Sequence, residues 1–155
     1  MTKQYKHILV PLDGSELAET ALDDAFSLAE MSHADITLLT VIPTIEQVLG
    51  SGTDHPIYID QQWASKKAAT VDYLENIRKR SGCQEIEVHQ AVEMGAAPEV
   101  IISYAHNHPV DLIVMATHGR SGLKRWVYGS VADKVLRGAD LPVLLIRVHS
   151  ERLAA

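Results

Sequence analysis

Two hydrophobic rhythms alternate along this chain. Short runs rich in Val, Ile and Leu occur at His7–Leu12, Ile36–Ile42, Ile86–Val92, Leu112–Ala116 and Val143–Val148. Several are nearly continuous, as in strands covered on both faces. Between them the apolar positions repeat every 3.6 residues. Ala18, Ala21, Leu22, Ala25, Leu28 and Ala29 follow Ser15, a residue suited to an N-cap. Trp63, Ala64, Ala68, Val71, Leu74 and Ile77 precede Ser81-Gly82. Val100, Ile101, Tyr104 and Ala105 follow Pro98, a favourable first-turn residue, and Val131, Ala132, Val135, Leu136 and Ala139 follow Ser130. The pattern β-α-β-α-β-α-β-α-β with short links predicts an α/β fold: an open five-stranded, mostly parallel sheet with helices on both faces. One link, residues 43–60, is long; links of that length commonly belong to mobile or functional segments.

The length of 155 residues predicts one domain. A hydrophobic fraction of 46% and a charged fraction of 22% are ordinary for a globular protein. Cys83 is the only cysteine, which excludes an intramolecular disulfide and any multi-cysteine metal or redox site. The apolar run near the start is too short for a signal peptide or membrane span, so the expected location is cytoplasmic, without membrane insertion. A net charge of −6 argues against nucleic acid as a partner. That charge is unevenly spread. Residues 1–115 carry 7 Lys/Arg against 17 Asp/Glu, a net of −10, whereas residues 116–155 carry 7 against 3, a net of +4. A local basic region on an acidic body suits a small anionic ligand better than a long polyanion.

The basic excess falls on a glycine-punctuated stretch. The fourth strand runs into His118, Gly119, Arg120, Gly122, Lys124 and Arg125, and the stretch closes on Gly129-Ser130 at the start of a helical pattern. Strand, glycine loop and helix start together present backbone N–H groups and a positive dipole end to an anion. In open parallel sheets ligands sit beyond the carboxyl ends of the strands, where strand order reverses. The first strand ends there in Pro11-Leu12-Asp13-Gly14-Ser15. Asp13 is placed either to bond a ribose hydroxyl or a divalent cation, or simply to cap the next helix. The second strand ends in Thr40-Val41-Ile42-Pro43, whose free backbone groups can read a purine edge.

These features resemble the universal stress protein family. Its ATP-binding members carry Gly-x2-Gly-x9-Gly-Ser/Thr after the fourth strand. Here Gly119 is followed by nine residues and then Gly129-Ser130, while the family's first glycine falls on Ala116. The stretch ILVPLDGSELAETAL, the Gly95-Ala96-Ala97-Pro98 turn and the closing segment from Ala139 to Ile146 also resemble the family, so the resemblance implies a single domain with its core at about 5–148. The resemblance implies a Rossmann-like sheet of order 3-2-1-4-5. It implies that Pro11, Leu12 and Asp13 line an adenosine, with Asp13 near the ribose or metal. Val41 would meet the adenine, and Met115 and Ala116 would lie under the nucleoside. Gly119, Arg120, Gly122, Gly129, Ser130 and Val131 would wrap the phosphates. His118, by its place in the loop, is set either to touch phosphate or to brace the loop by a hydrogen bond. At Ala116 the residues require a negative φ for alanine to be acceptable.

The expected function is that of a non-catalytic or weakly catalytic sensor of ATP, AMP or ADP in stress, with Mg²⁺ or Mn²⁺ at the phosphates. The alternatives are a dimeric interaction module that no longer binds nucleotide, and a slow ATPase or phosphotransferase. In that strand order Val143, Leu144, Leu145 and Ile146 form an apolar edge, which predicts a homodimer built by pairing these strands. A further protein partner is left unidentified. His106 and His108 are read as exposed residues at a helix end, Cys83 as a bystander, and Trp126 and Tyr128 as loop packing. The P-loop and Gly-x-Ser-x-Gly signatures are absent.

Overall fold

A computed structural model describes residues 3–44, 56–118 and 129–148. Its five strands are β1 (His7–Pro11), β2 (Asp35–Ile42), β3 (Val88–Met94), β4 (Leu112–His118) and β5 (Val143–Val148). All four pairings are parallel, in the order β3-β2-β1-β4-β5. The expected topology is therefore the observed one. The helices are α1 (Glu16–Glu19), α2 (Leu22–Ser32), α3 (Pro56–Ser81), α4 (Ala97–Asn107) and α5 (Ser130–Gly138).

Alternation along each strand divides the core into two layers. Ile8, Val10, Ile36, Leu38, Leu112 and Val114 pack on Leu22, Ala25 and Ala29 of α2 and on Leu74 and Ile77 of α3. Leu9, Leu39, Ile113 and Met115 pack on Ile101 and Ala105 of α4 and on Ala132 and Val135 of α5. Both faces of β1 and β4 are thus covered, which is why their sequences read as unbroken apolar runs.

Several boundaries differ from the sequence reading. The single helix expected after Ser15 is two. Ser15 is the N-cap of α1, its Oγ accepting from Ala18 N at 3.1 Å. The helix then tightens: Thr20 N and Ala21 N donate to carbonyls three residues back, and the Thr20 hydroxyl donates to Leu17 O at 2.6 Å. A side chain bonding back to the backbone in this way competes with helix propagation. β3 lies two residues later than expected, because its polar end pairs Glu93 and Met94 with Val41 and Ile42 at the edge of the sheet. β4 runs on to His118, since Thr117 is buried and pairs with Arg147. Residues 56–60 belong to α3 rather than to the long link. The rest of that link, residues 45–55, lies outside the described residues.

The later part of α3 carries its sealed apolar positions. Ala64, Ala68 and Val71 are exposed, whereas Leu74 and Ile77 are sealed. A polar contact holds this end to the sheet: Gln90 Nε2 of β3 donates to Glu75 Oε2 at 2.6 Å, and Arg78 donates to both Glu75 oxygens at 2.7 and 2.9 Å. The Arg78 and Gln90 donors lower the Glu75 pKa to about 2. A carboxyl depressed on folding contributes stability above its ordinary pKa and loses it as the pH falls toward the folded value. Glu75→Gln should therefore be slightly less stable than the wild type at pH 7. Urea unfolding should show that gap narrowing between pH 5 and pH 3; a gap that is constant with pH would mean the carboxylate is not the stabilising form.

Candidate functional site: a crevice at the strand-order reversal

β1 lies between β2 and β4, and the connections after β1 and β4 leave on opposite faces of the sheet. The carboxyl ends of these strands therefore part and leave a crevice. Two glycine turns shape its rim. Gly14, at φ +84°, turns the chain from β1 into α1, and Gly95, at φ +140°, turns it from β3 toward α4. A Cβ on Gly95 would also stand 2.8 Å from Val100 Cγ2.

The crevice holds a cavity of about 260 Å³, just below the range of ligand clefts, roughly 300–1,000 Å³. Its lining includes Pro11, Leu12, Asp13, Val41, Met115, Ala116, Gly129, Ser130 and Val131. Nine sequence-predicted positions from three strand ends and one helix start thus meet in one space. Gly119, Arg120 and Gly122 lie outside the described residues, as does the side chain of His118 at the end of β4.

The lining grades from apolar to polar. Leu39, Val41, Ile101 and Met115 form an apolar wall, and Asp13 and Ser15 stand at the β1 side. Ser15 donates to Asp13 Oδ1 twice, from its backbone N at 2.9 Å and from Oγ at 2.5 Å. The cap of α1 is thus Ser15, and Asp13 orients that cap rather than serving as one. Both bonds fall on Oδ1; Oδ2 receives none from the described residues.

Across the cavity, α5 starts at Gly129 with no side-chain cap bond. α4 starts at Ala96, also without one, and Ala97 reaches the same lining. The first N–H groups of a helix have no partner within it, and the dipole makes them attractive to negative charge. Anion-seeking donors therefore face the crevice from α5, with the carboxylate of Asp13 on the other side.

Ala116 sits in β4 opposite Ile146. His33 is the one non-glycine with positive φ among the described residues, so the backbone at Ala116 meets the requirement for alanine. The sequence reading missed Ser15, Leu17, Ala18, Leu39, Ala97, Ile101 and Ala132 in the lining. Leu39, Ile101 and Ala132 carry only a core-packing signal, because they serve the core and the crevice floor together. Ala97 was visible in the Gly95–Pro98 turn, and Ser15 as a helix cap.

His106, His108 and Cys83 stay outside the crevice lining, whereas Lys124, Arg125, Trp126 and Tyr128 lie outside the described residues. His108 ends α4, its Nδ1 2.9 Å from Tyr104 O and its ring stacked on Tyr104 at 3.8 Å. Cys83 donates its thiol to Glu30 Oε1 at 3.2 Å, and burial together with that carboxylate raises the thiol pKa. No helix among the described residues is long and apolar enough to cross a membrane.

The comparisons with known proteins agree with this architecture. The family model for the universal stress protein family matches residues 4–147. Universal stress protein YxiE of Bacillus subtilis is 29% identical, over 92% of this chain and 99% of its own length. The solved structure of protein MJ0577, a universal stress protein of Methanocaldococcus jannaschii, superposes with a TM-score of 0.78 at 28% identity, over 96% of this chain and 99% of that one. An Arabidopsis thaliana family protein with AMP bound shares the fold, with a TM-score of 0.66 at 18% identity over 95% and 94% of the two chains. With the match running from the first strand to the last, the chain belongs to the universal stress protein family.

Proposed function

We propose that this chain is an adenine-nucleotide-binding sensor rather than a committed enzyme. The observation that carries the reading is the polarity of the crevice. An apolar wall of Leu39, Val41 and Met115 suits a purine, Asp13 suits a ribose hydroxyl, and the uncapped start of α5 suits phosphate. The donor set also fits a divalent cation. Mg²⁺ and Mn²⁺ are commonly held by one or two carboxylates together with substrate phosphates and water, and Asp13 Oδ2 supplies the one protein oxygen needed. A bound cation would screen phosphate charge there.

Calorimetry with ATP and Mg²⁺ tests the reading, alongside mass spectrometry of whatever the protein carries when purified without added ligand. Binding heat with micromolar to millimolar affinity is expected. No heat and no thermal shift at millimolar ATP would sink it and favour an interaction module without nucleotide.

The assembly proposed with this reading is a homodimer through β5. β5 is a sheet edge, Leu144 is 39% exposed, and Val143, Leu145 and Ile146 are half-buried. An unpaired apolar edge is a template for a second strand. Leu144→Lys should convert the dimer to a monomer in size-exclusion chromatography with light scattering. A variant that stays dimeric would refute this interface.

A further inference from the structure

The opposite rim of the sheet, at the amino ends of the strands, gathers a second set of ligating side chains. Asp35 opens β2, Glu87 directly precedes β3, and His89 is the second residue of β3. Two carboxylate oxygens and one imidazole nitrogen from these residues all lie within 4.8 Å of one another.

The sheet register brings them together. Ile36 pairs with Val88 and Thr37 with His89, which sets Asp35 beside Glu87. Side chains two apart along a strand share a face, so all three project on the same side. The backbone fixes their spacing: Asp35 N donates to Lys6 O and Ile36 N donates to Glu87 O, each at 2.9 Å. His89 is braced as well. Its ring stacks on that of His7, with centroids 5.7 Å apart and an interplanar angle of 14°, and His7 Nε2 is held 2.7 Å from the Thr37 hydroxyl.

Among the described residues neither Asp35 nor Glu87 has a Lys or Arg partner; the one ion-pair contact of Glu87 is His89 Nε2, at 3.9 Å from Oε1. Two carboxylates side by side attract a cation, and the imidazole selects which cation. Mg²⁺ and Ca²⁺ prefer all-oxygen sets, whereas zinc and its first-row neighbours accept nitrogen.

We propose that Asp35, Glu87 and His89 form a site for a divalent transition metal of the Zn²⁺ class, with water completing the coordination. Zinc bonds of about 2.0–2.2 Å place tetrahedral ligand atoms roughly 3.4 Å apart. Rotamer adjustments of these side chains, of which Glu87 is exposed, would close the remaining distance with the backbone of β2 and β3 kept. The site ties the edge strand β3 to β2, and it lies at the opposite end of these strands from the crevice, so it stands independently of the nucleotide reading.

The test is titration of the full-length chain, stripped with chelator and free of nucleotide, with ZnCl2 by calorimetry. One Zn²⁺ per chain with micromolar affinity is expected, and MgCl2 at the same concentration should give no heat. His89→Gln and Asp35→Asn should each raise the dissociation constant at least about tenfold, the effect typical of perturbing a metal site. Glu87→Gln alters a side chain 72% exposed and so probes the site without threatening the fold; it should weaken Zn²⁺ severalfold or more. Co²⁺ should show visible absorption bands in the wild type that fade in His89→Gln. The chain has eight histidines, so binding elsewhere is the sharpest rival. Stoichiometric Zn²⁺ binding unchanged in all three variants, or no Zn²⁺ binding to the wild type, would overturn the proposal.

Discussion

Gly129→Val is expected to raise the dissociation constant for ATP at least a hundredfold, about 2.7 kcal/mol, with the fold retained. Gly129 is the N-cap of α5 at φ −53° and ψ 149°, an extended conformation that valine adopts without strain. The substitution therefore tests space rather than backbone freedom. Its branched side chain would stand where an anion approaches the N–H groups of Ser130, Val131 and Ala132. The poorer cap costs about 1 kcal/mol, a fall of roughly 2–4 °C in the thermal midpoint for a domain of this size. Calorimetry paired with a melting curve checks both parts. Unchanged affinity would show that phosphate does not approach this helix, and a collapsed melting curve would show that Gly129 matters to the fold instead.

Leu9→Ala should carry the largest stability loss. Leu9 is fully buried on the central strand, within the layer formed with Leu39, Ile113, Met115 and α4 and α5. Truncating such a leucine costs ~2–5 kcal/mol through lost transfer energy and the cavity left behind. Against a total of ~5–15 kcal/mol this is a large share, and it corresponds to a drop of roughly 4–20 °C. Urea unfolding at fixed pH measures it; a loss below ~1 kcal/mol would mean that the layer recloses around the gap. Because Leu39 and Met115 belong both to this layer and to the crevice wall, nucleotide affinity should weaken severalfold well below the new midpoint.

The fold was legible because its strongest signals are redundant. Each central strand is covered on both faces, so Ile8–Val10 and Leu112–Val114 read as strands on composition alone. The edge strand β3 is less apolar, and its polar end at Glu93-Met94 left its boundary open. The break between α1 and α2 is marked by backbone bonds to carbonyls three residues back and by the Thr20 hydroxyl, none of which leaves a mark on hydrophobic periodicity. The crevice was legible where residue type and backbone role coincide, at Asp13, Gly129 and Ser130. It was not legible at Leu39, Ile101 or Ala132, whose apolar side chains fit a core equally well. The rim of Asp35, Glu87 and His89 was invisible in sequence for another reason: its members are up to 54 positions apart, and only the pairing of β2 with β3 makes them neighbours.

The central place of β1 has a consequence for how the chain is made. At its amino end the backbone is held by Asp111, just ahead of β4, which accepts from Lys6 N at 2.8 Å and His7 N at 3.3 Å across separations of 105 and 104 residues. During synthesis at about 5–20 residues per second, roughly 5–20 s pass between the emergence of β1 and that of β4. β2 can dock in the meantime, but one side of this buried central strand stays open until β4 arrives. Nascent chains truncated before residue 112 should therefore be the aggregation-prone and chaperone-bound species, and completion of β4 the step that releases them.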